Sequence, residues 1–89
     1  MQSPLKTYVV VTAYNEEKYL TRFLEKLVKQ TRDFIVVDDG SVDDTARIAQ
    51  KFTKHLLVHS VNLGKGAAMK TGADYVFKIL NADVVIFMD

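Results

Sequence analysis

The sequence contains no cysteine, which excludes a disulfide framework, a thiolate nucleophile and the usual thiolate zinc sites. It has little charge of either sign in excess: twelve Lys and Arg against eleven Asp and Glu leave +1. That balance is wrong for a chain that holds nucleic acid by charge alone, so no nucleic-acid partner is expected. Long apolar runs are missing too. The longest, Val84 to Met88, falls far short of the roughly 20 residues that cross a bilayer, so no membrane segment is expected. Met1 to Lys6 lacks the apolar stretch of a secretory signal, and the only proline, Pro4, lies in this leader. No internal repeat or low-complexity tract is present. What remains is 89 residues, 48% apolar and 26% charged, an ordinary folded composition in one small domain or part of a larger one. The expectation is a soluble, cytoplasmic globular piece.

Two hydrophobic periods alternate along the chain. Thr7 to Thr12 is short, β-branched and apolar, and predicts a buried strand. Glu16 to Gln30 predicts a helix, because Leu20, Phe23, Leu24, Leu27 and Val28 recur at three- and four-residue steps. Phe34 to Val37 is a second buried strand, halted at Asp38-Asp39-Gly40. Ser41 is a candidate N-cap, with Asp44 three residues on completing an approximate capping box. The helix that follows carries Ala46, Ile48, Ala49 and Phe52 inward. His55 to Ser60 predicts a weaker third strand, and Asn62 to Gly66 a loop. A third helix runs to about Leu80 with Met69, Ala73, Val76, Phe77 and Leu80 inward, and Asp83 to Met88 is the fourth strand.

Apolar strands separated by amphipathic helices predict an α/β, Rossmann-like fold: a parallel sheet with helices on both faces. Right-handed crossovers and three helices shared between two faces give the strand order 3-2-1-4. Ligands of such sheets bind beyond the carboxyl ends of the strands, where the order reverses. The conspicuous polar residues fall at that rim. Thr12, Tyr14, Asn15 and Glu16 follow the first strand, and Asp38 and Asp39 end the second. Asn62, Gly64, Lys65 and Gly66 follow the third, and Asp89 ends the fourth.

Helix capping explains Asn15, Ser41 and Asp43, taken singly, about as well as a ligand does. It explains Asp38 beside Asp39, or a strand ending in Asp89, poorly. Carboxylates here can accept hydrogen bonds from a base edge or ribose, or hold a hard divalent cation that bridges to phosphates. Lys65, beside two glycines at a helix N-terminus, suits an anion. Together they describe a nucleotide-diphosphate site.

Other motifs fail. Gly64-Lys65-Gly66-Ala67-Ala68-Met69 has Met where a dinucleotide fingerprint needs a third small residue, and follows the wrong strand. No Walker loop is present. His55 and His59 are expected at the ends of the third strand and not as metal ligands, since no third ligand accompanies them. Ala67, Ala68, Gly72 and Ala73 are expected to let the third helix lie close on the sheet, and Met69, Phe87 and Met88 to be core.

Val10 to Glu16, Val36 to Thr45 (Val-Val-Asp-Asp-Gly-Ser-Val-Asp-Asp-Thr) and Asn62 to Gly66 occur in the order and spacing of family 2 glycosyltransferases. Phe87-Met88-Asp89 resembles the lead-in to their Asp-x-Asp motif. Within the family the lysine of the third block makes the chain most similar to polyprenyl-phosphate hexose synthases. The resemblance covers the whole chain and implies the N-terminal half of a GT-A fold. It implies transfer of a hexose from a nucleoside diphosphate sugar to an acceptor such as a polyprenyl phosphate, usually with inversion and a divalent metal, Mg or Mn.

Carried over by position, Thr12, Tyr14 and Glu16 line the nucleoside pocket and Asp39 hydrogen-bonds the base, with Asp38 and Ser41 shaping the turn. Lys65 faces the base or diphosphate, and Asp89 holds the metal together with the nucleotide diphosphate. Thr12 departs from the proline of many members, which costs rigidity but removes no chemical group.

The resemblance also implies that residues 1–89 are one nucleotide-sugar-binding subdomain that stops before the acceptor half. No general base is then expected in it, nor transferase activity from it alone. The fourth strand is expected to be an uncovered edge that invites pairing with another copy, so association or marginal stability is expected. Two other readings stand beside this one. A phosphoacceptor receiver domain fits Phe34 to Asp39 and Asp83 to Asp89, but leaves the first strand and helix and Asn62 to Gly66 without a role. A non-catalytic nucleotide-binding module fits the same rim.

Overall fold

In the computed structural model, which describes residues 4–89, the two alternating periods become seven elements. They are β1 (Thr7–Ala13), α1 (Glu17–Leu27), β2 (Phe34–Asp38), α2 (Thr45–Ala49), β3 (Leu56–Val58), α3 (Lys65–Lys78) and β4 (Val84–Met88). The leader assigned to Met1 to Lys6 lies outside the described residues at positions 1–3. All four strands are parallel, in the order β3-β2-β1-β4, as the sequence predicts. No helix among the described residues is long and apolar enough to cross a membrane.

The sheet divides the core in two. On one face Val9, Val11, Phe34 and Val36 pack against Leu20, Leu24 and Leu27 of α1 and Ala49 of α2. On the other, Val10, Ile35 and Val37 pack against Ala68 and Val76 of α3. Alternation of side chains along β1 and β2 feeds both layers, so β2 is buried throughout and β1 from Val9 to Ala13. Each fully buried Val, Ile or Leu contributes on the order of 1.5–3 kcal/mol. Helix α3 approaches closely because Gly72 faces the sheet: a Cβ there would sit 2.3 Å from Val10 Cγ1.

Register then fixes the rim. Ala13 pairs with Asp38, and Asp38 with Val58, while Met88 pairs with Val11. The residues that follow these positions leave the sheet on one side, at the reversal between β1 and β4.

Several boundaries differ from expectation. Helix α1 ends at Leu27 and not at Gln30, and residues 28–30 form a turn. There the Thr31 hydroxyl oxygen accepts the Asp33 N–H and turns the chain into β2. Helix α2 has only five residues, with Asp44 and not Ser41 at its N-cap; the Ser41 hydroxyl is engaged elsewhere. β3 is confined to Leu56–Val58, and His55 and His59 flank it, as expected. Phe77, Phe87 and Met88, read as inward or core, are 43%, 39% and 36% exposed. β4 has a strand on one side only, and the buried side of α3 is a narrow stripe of Ala68, Gly72 and Val76. Apolar character alone did not find them a neighbour.

Candidate functional site

Three loops build the rim, and they are tied to one another. After β1 the chain turns at Asn15, whose φ of 53° is tolerated by Asn better than by most residues. The Asn15 N–H donates to Ser41 Oγ at 2.8 Å, and Asn15 Oδ1 accepts the Val42 N–H at 3.0 Å. Ser41 in turn donates its N–H and hydroxyl to Asp38 Oδ1. The first turn of α1 is capped from the neighbouring loop: the Glu16 N–H donates to Thr45 Oγ1 and the Glu17 N–H to Asp43 Oδ2. Helix N-termini carry four N–H groups without partners of their own, so these bonds set the entry angle of α1. Asn15, Ser41 and Asp43 are therefore capping and turn residues, with the caps running between loops.

The second loop carries Gly40 at φ +75°, and a Cβ on it would meet Val61 C at 2.3 Å and Asn62 N at 2.4 Å. Only glycine lets the third loop pass this close. That passage brings the third loop over Asp39, which is 3% exposed. Asp39 Oδ1 accepts from His59 Nδ1 at 2.8 Å and the Leu63 N–H at 2.9 Å. Oδ2 accepts from the Gly64 N–H at 2.9 Å and Asn62 Nδ2 at 3.1 Å. Burial on its own would raise the Asp39 pKa. The hydrogen bond from His59, those from the Leu63 and Gly64 main chain, and the charge of His59 outweigh it and hold the carboxyl below its ordinary 3.8. Asp43 is lowered likewise: burial opposes, and the Thr45 side chain and main chain with the Glu17 N–H prevail.

Between these loops and the end of β4 lies a cavity of about 320 Å³. Thr12, Tyr14 and Glu16 from the first loop, Asp39 from the second, Asn62, Gly64 and Lys65 from the third and Asp89 after β4 line it. Tyr14 is 46% exposed and offers a ring face. Lys65, first residue of α3, is ion-paired with Asp89 across the opening. Six of the eight residues singled out in the sequence thus share one cavity. Asp38 and Ser41 are not on its wall; they hold the turn behind Asp39.

The donor set can take a divalent cation only in part. No group of three His, Asp or Glu side chains is arranged for a metal among the described residues, and Asp39 has each oxygen occupied by two donors. Asp89 is half-exposed, and its ion-pair partner is Lys65, which a cation would displace. One carboxylate fits a magnesium-like ion that takes its remaining ligands from water and substrate phosphates.

Sequence reasoning gave no role to His59 or Thr71, whose hydroxyl lies 2.8 Å from His59 Nε2. A signal was available: Asp38 pairs with Val58, so a parallel register puts His59 level with Asp39. His55, by contrast, pairs with the Tyr75 hydroxyl at 3.1 Å and takes no part in the rim.

The sequence profile of Glycosyl transferase family 2 matches residues 8–89. That span includes the β1 and α1 region which a receiver domain leaves without a role. An uncharacterized protein of Methanocaldococcus jannaschii is 33% identical over 86 residues, covering 90% of this chain and 38% of its own. A dolichyl-phosphate beta-glucosyltransferase of Trichomonas vaginalis is 32% identical, covering 97% of this chain and 31% of its own. A poly(ribitol-phosphate) beta-N-acetylglucosaminyltransferase of Staphylococcus aureus is 34% identical, covering 96% and 16%. The chain thus spans well under half the length of these relatives.

Proposed function

The chain belongs to glycosyl transferase family 2, and from that membership we propose that its rim binds the nucleoside diphosphate of a sugar donor, as part of an enzyme that transfers a hexose to an acceptor. The observation that carries this reading is the convergence of Tyr14, Asp39, Lys65 and Asp89 on one cavity. Each group suits a different part of such a ligand. Thr12, Tyr14 and Glu16 offer a ring face, a hydroxyl and a carboxylate to base and ribose. Lys65 and the N–H groups opening α3 suit the diphosphate, where ammonium charge and helix dipole add.

Asp39 can accept a base N–H by exchanging one donor. Asn62 Nδ2, at 3.1 Å the longest of the four hydrogen bonds to the carboxylate, is on an exposed residue and keeps a second acceptor, Asp39 O at 3.2 Å, if it gives up this one. Asp89 would hold Mg or Mn together with the diphosphate oxygens, and the ion would supply charge neutralisation on the leaving group. The dolichyl-phosphate relative favours a polyprenyl phosphate acceptor, and the nucleotide donor a cytoplasmic placement.

Calorimetric titration with uridine and guanosine diphosphates, with and without manganese, tests the reading. Saturable binding of either nucleotide supports it. Heat of dilution alone, from a chain shown folded by circular dichroism, overturns it.

A further inference from the structure

The donor-site reading leaves one histidine with a largely covered side chain unused. His59 follows β3, and its main-chain N–H still donates to Asp38 O at 2.9 Å. Its side chain is 11% exposed and both ring nitrogens are engaged, Nδ1 with Asp39 Oδ1 and Nε2 with Thr71 Oγ1, each at 2.8 Å. An ionised carboxylate only accepts, so Nδ1 carries a proton and donates to Asp39, while Nε2 is hydrogen-bonded to the Thr71 hydroxyl. Thr71 sits on α3, the helix that Lys65 opens. One imidazole therefore ties together the ends of β2 and β3 and the body of α3.

We infer that His59 is a positioning residue for the rim: clamped between Asp39 and Thr71, it fixes the Asp39 carboxylate and, through it, the loop 62–64, whose Asn62 and Gly64 line the cavity. The argument is geometric. The other donors to Asp39 are the Leu63 and Gly64 main chain and the Asn62 amide, so the orientation of this carboxylate sets the path of the chain entering Lys65. Without His59, Oδ1 keeps the Leu63 N–H alone. The carboxylate can then turn about its Cβ–Cγ bond, and the loop turns with it. A histidine that merely filled core would be surrounded by apolar side chains; this one has a polar partner at each nitrogen. The inference rests on the donor-site reading for its consequence in binding, but not for its consequence in the loop.

Two amide substitutions separate the two ring nitrogens. His59→Asn places an amide N–H near the Nδ1 position and keeps the Asp39 bond. His59→Gln reaches toward the Nε2 position and Thr71, and gives up Asp39. Two readouts apply: the Leu63 and Gly64 amide resonances, which need no ligand, and calorimetric affinity for uridine and guanosine diphosphates.

His59→Gln should shift or broaden both resonances and weaken the bound nucleotide about tenfold, the loss of one hydrogen bond to a charged group. His59→Asn should restore both resonances, with affinity within about threefold of the parent. Unchanged Leu63 and Gly64 resonances in His59→Gln, or equal effects of the two substitutions, overturn the inference. If no nucleotide binds the parent chain while the resonances respond as described, the positioning role stands and the donor reading falls. Should His59→Gln fail to fold, Thr71→Val removes only the hydroxyl partner; unmoved resonances in that variant overturn the clamp.

Discussion

Lys65, the first residue of α3, and Asp89, the residue after β4, form an ion pair across the mouth of the cavity, with side chains 62% and 55% exposed. An ion pair so open to solvent contributes little to stability, because water screens it and both side chains lose freedom in forming it. In the proposed site a diphosphate would compete with Asp89 for the ammonium, and a divalent cation with Lys65 for the carboxylate.

The two residues should therefore separate in their effects. Lys65→Ala and Asp89→Ala each change unfolding free energy by less than about 1 kcal/mol. Lys65→Ala weakens nucleoside diphosphate about tenfold whether or not manganese is present, as removal of a charge-assisted contact does. Asp89→Ala abolishes only the enhancement by manganese. Calorimetry of the two variants with and without the metal checks this; identical metal dependence in both removes Asp89 from the cation's coordination shell.

Acid should unfold the chain through Asp39 and Asp43. Both carboxyls are held below the ordinary 3.8 in the folded protein, so the folded state binds fewer protons than the unfolded one. Their contribution to stability is then complete above the unfolded pKa, and is lost as pH falls through 3.8 toward the folded values. Thermal melts should be level from neutral pH to about 5 and fall below it. Asp39→Asn should lower the neutral plateau and flatten the acid fall. A variant whose acid limb parallels that of the parent would show that Asp39 is not linked to folding.

The strand order was readable because four apolar runs and three intervening helices allow few right-handed windings, and a reversal of order collects strand ends at one rim. The functions of single polar residues within that rim were not readable. Ser41 looks like a local N-cap, but its hydroxyl bridges Asn15 and Asp38, a contact 26 positions away that no local window contains. Asp39 looks like a free acceptor until the third loop is seen to fold over it, which Gly40 permits. Phe87 and Met88 have the composition of core, yet burial depends on what lies across from a strand, and local pattern does not state that.

Gly72 should resist even alanine. An exposed helical glycine gains about 1 kcal/mol on becoming alanine. Here the new methyl would lie 2.3 Å from Val10 Cγ1 and 3.2 Å from Val37 Cγ2, and overpacking of a full core costs about 1–3 kcal/mol. The clash wins, because Val10 is fully buried and has nowhere to turn. Denaturant unfolding should show Gly72→Ala destabilised. In a double-mutant cycle with Val10→Ala the two changes should couple favourably by more than about 0.5 kcal/mol. Additive effects would mean that helix and sheet slide apart at no cost.

The outer edge of β4 should pair with a second copy of the chain. β4 bonds to β1 on one side, and in this chain its other edge presents a row of main-chain donors and acceptors beside Ile86, which is 45% exposed. Another strand satisfies those groups better than a helix or an apolar ligand does, because only a strand matches their spacing. Sedimentation should reveal concentration-dependent association of the 89-residue chain. Ile86→Lys, which puts a charge beside the edge without touching the rim, should shift the population toward monomer and leave nucleotide affinity unchanged. A parent chain that sediments as a monomer at every concentration, with the same melting temperature as Ile86→Lys, would show that the edge stays unpaired.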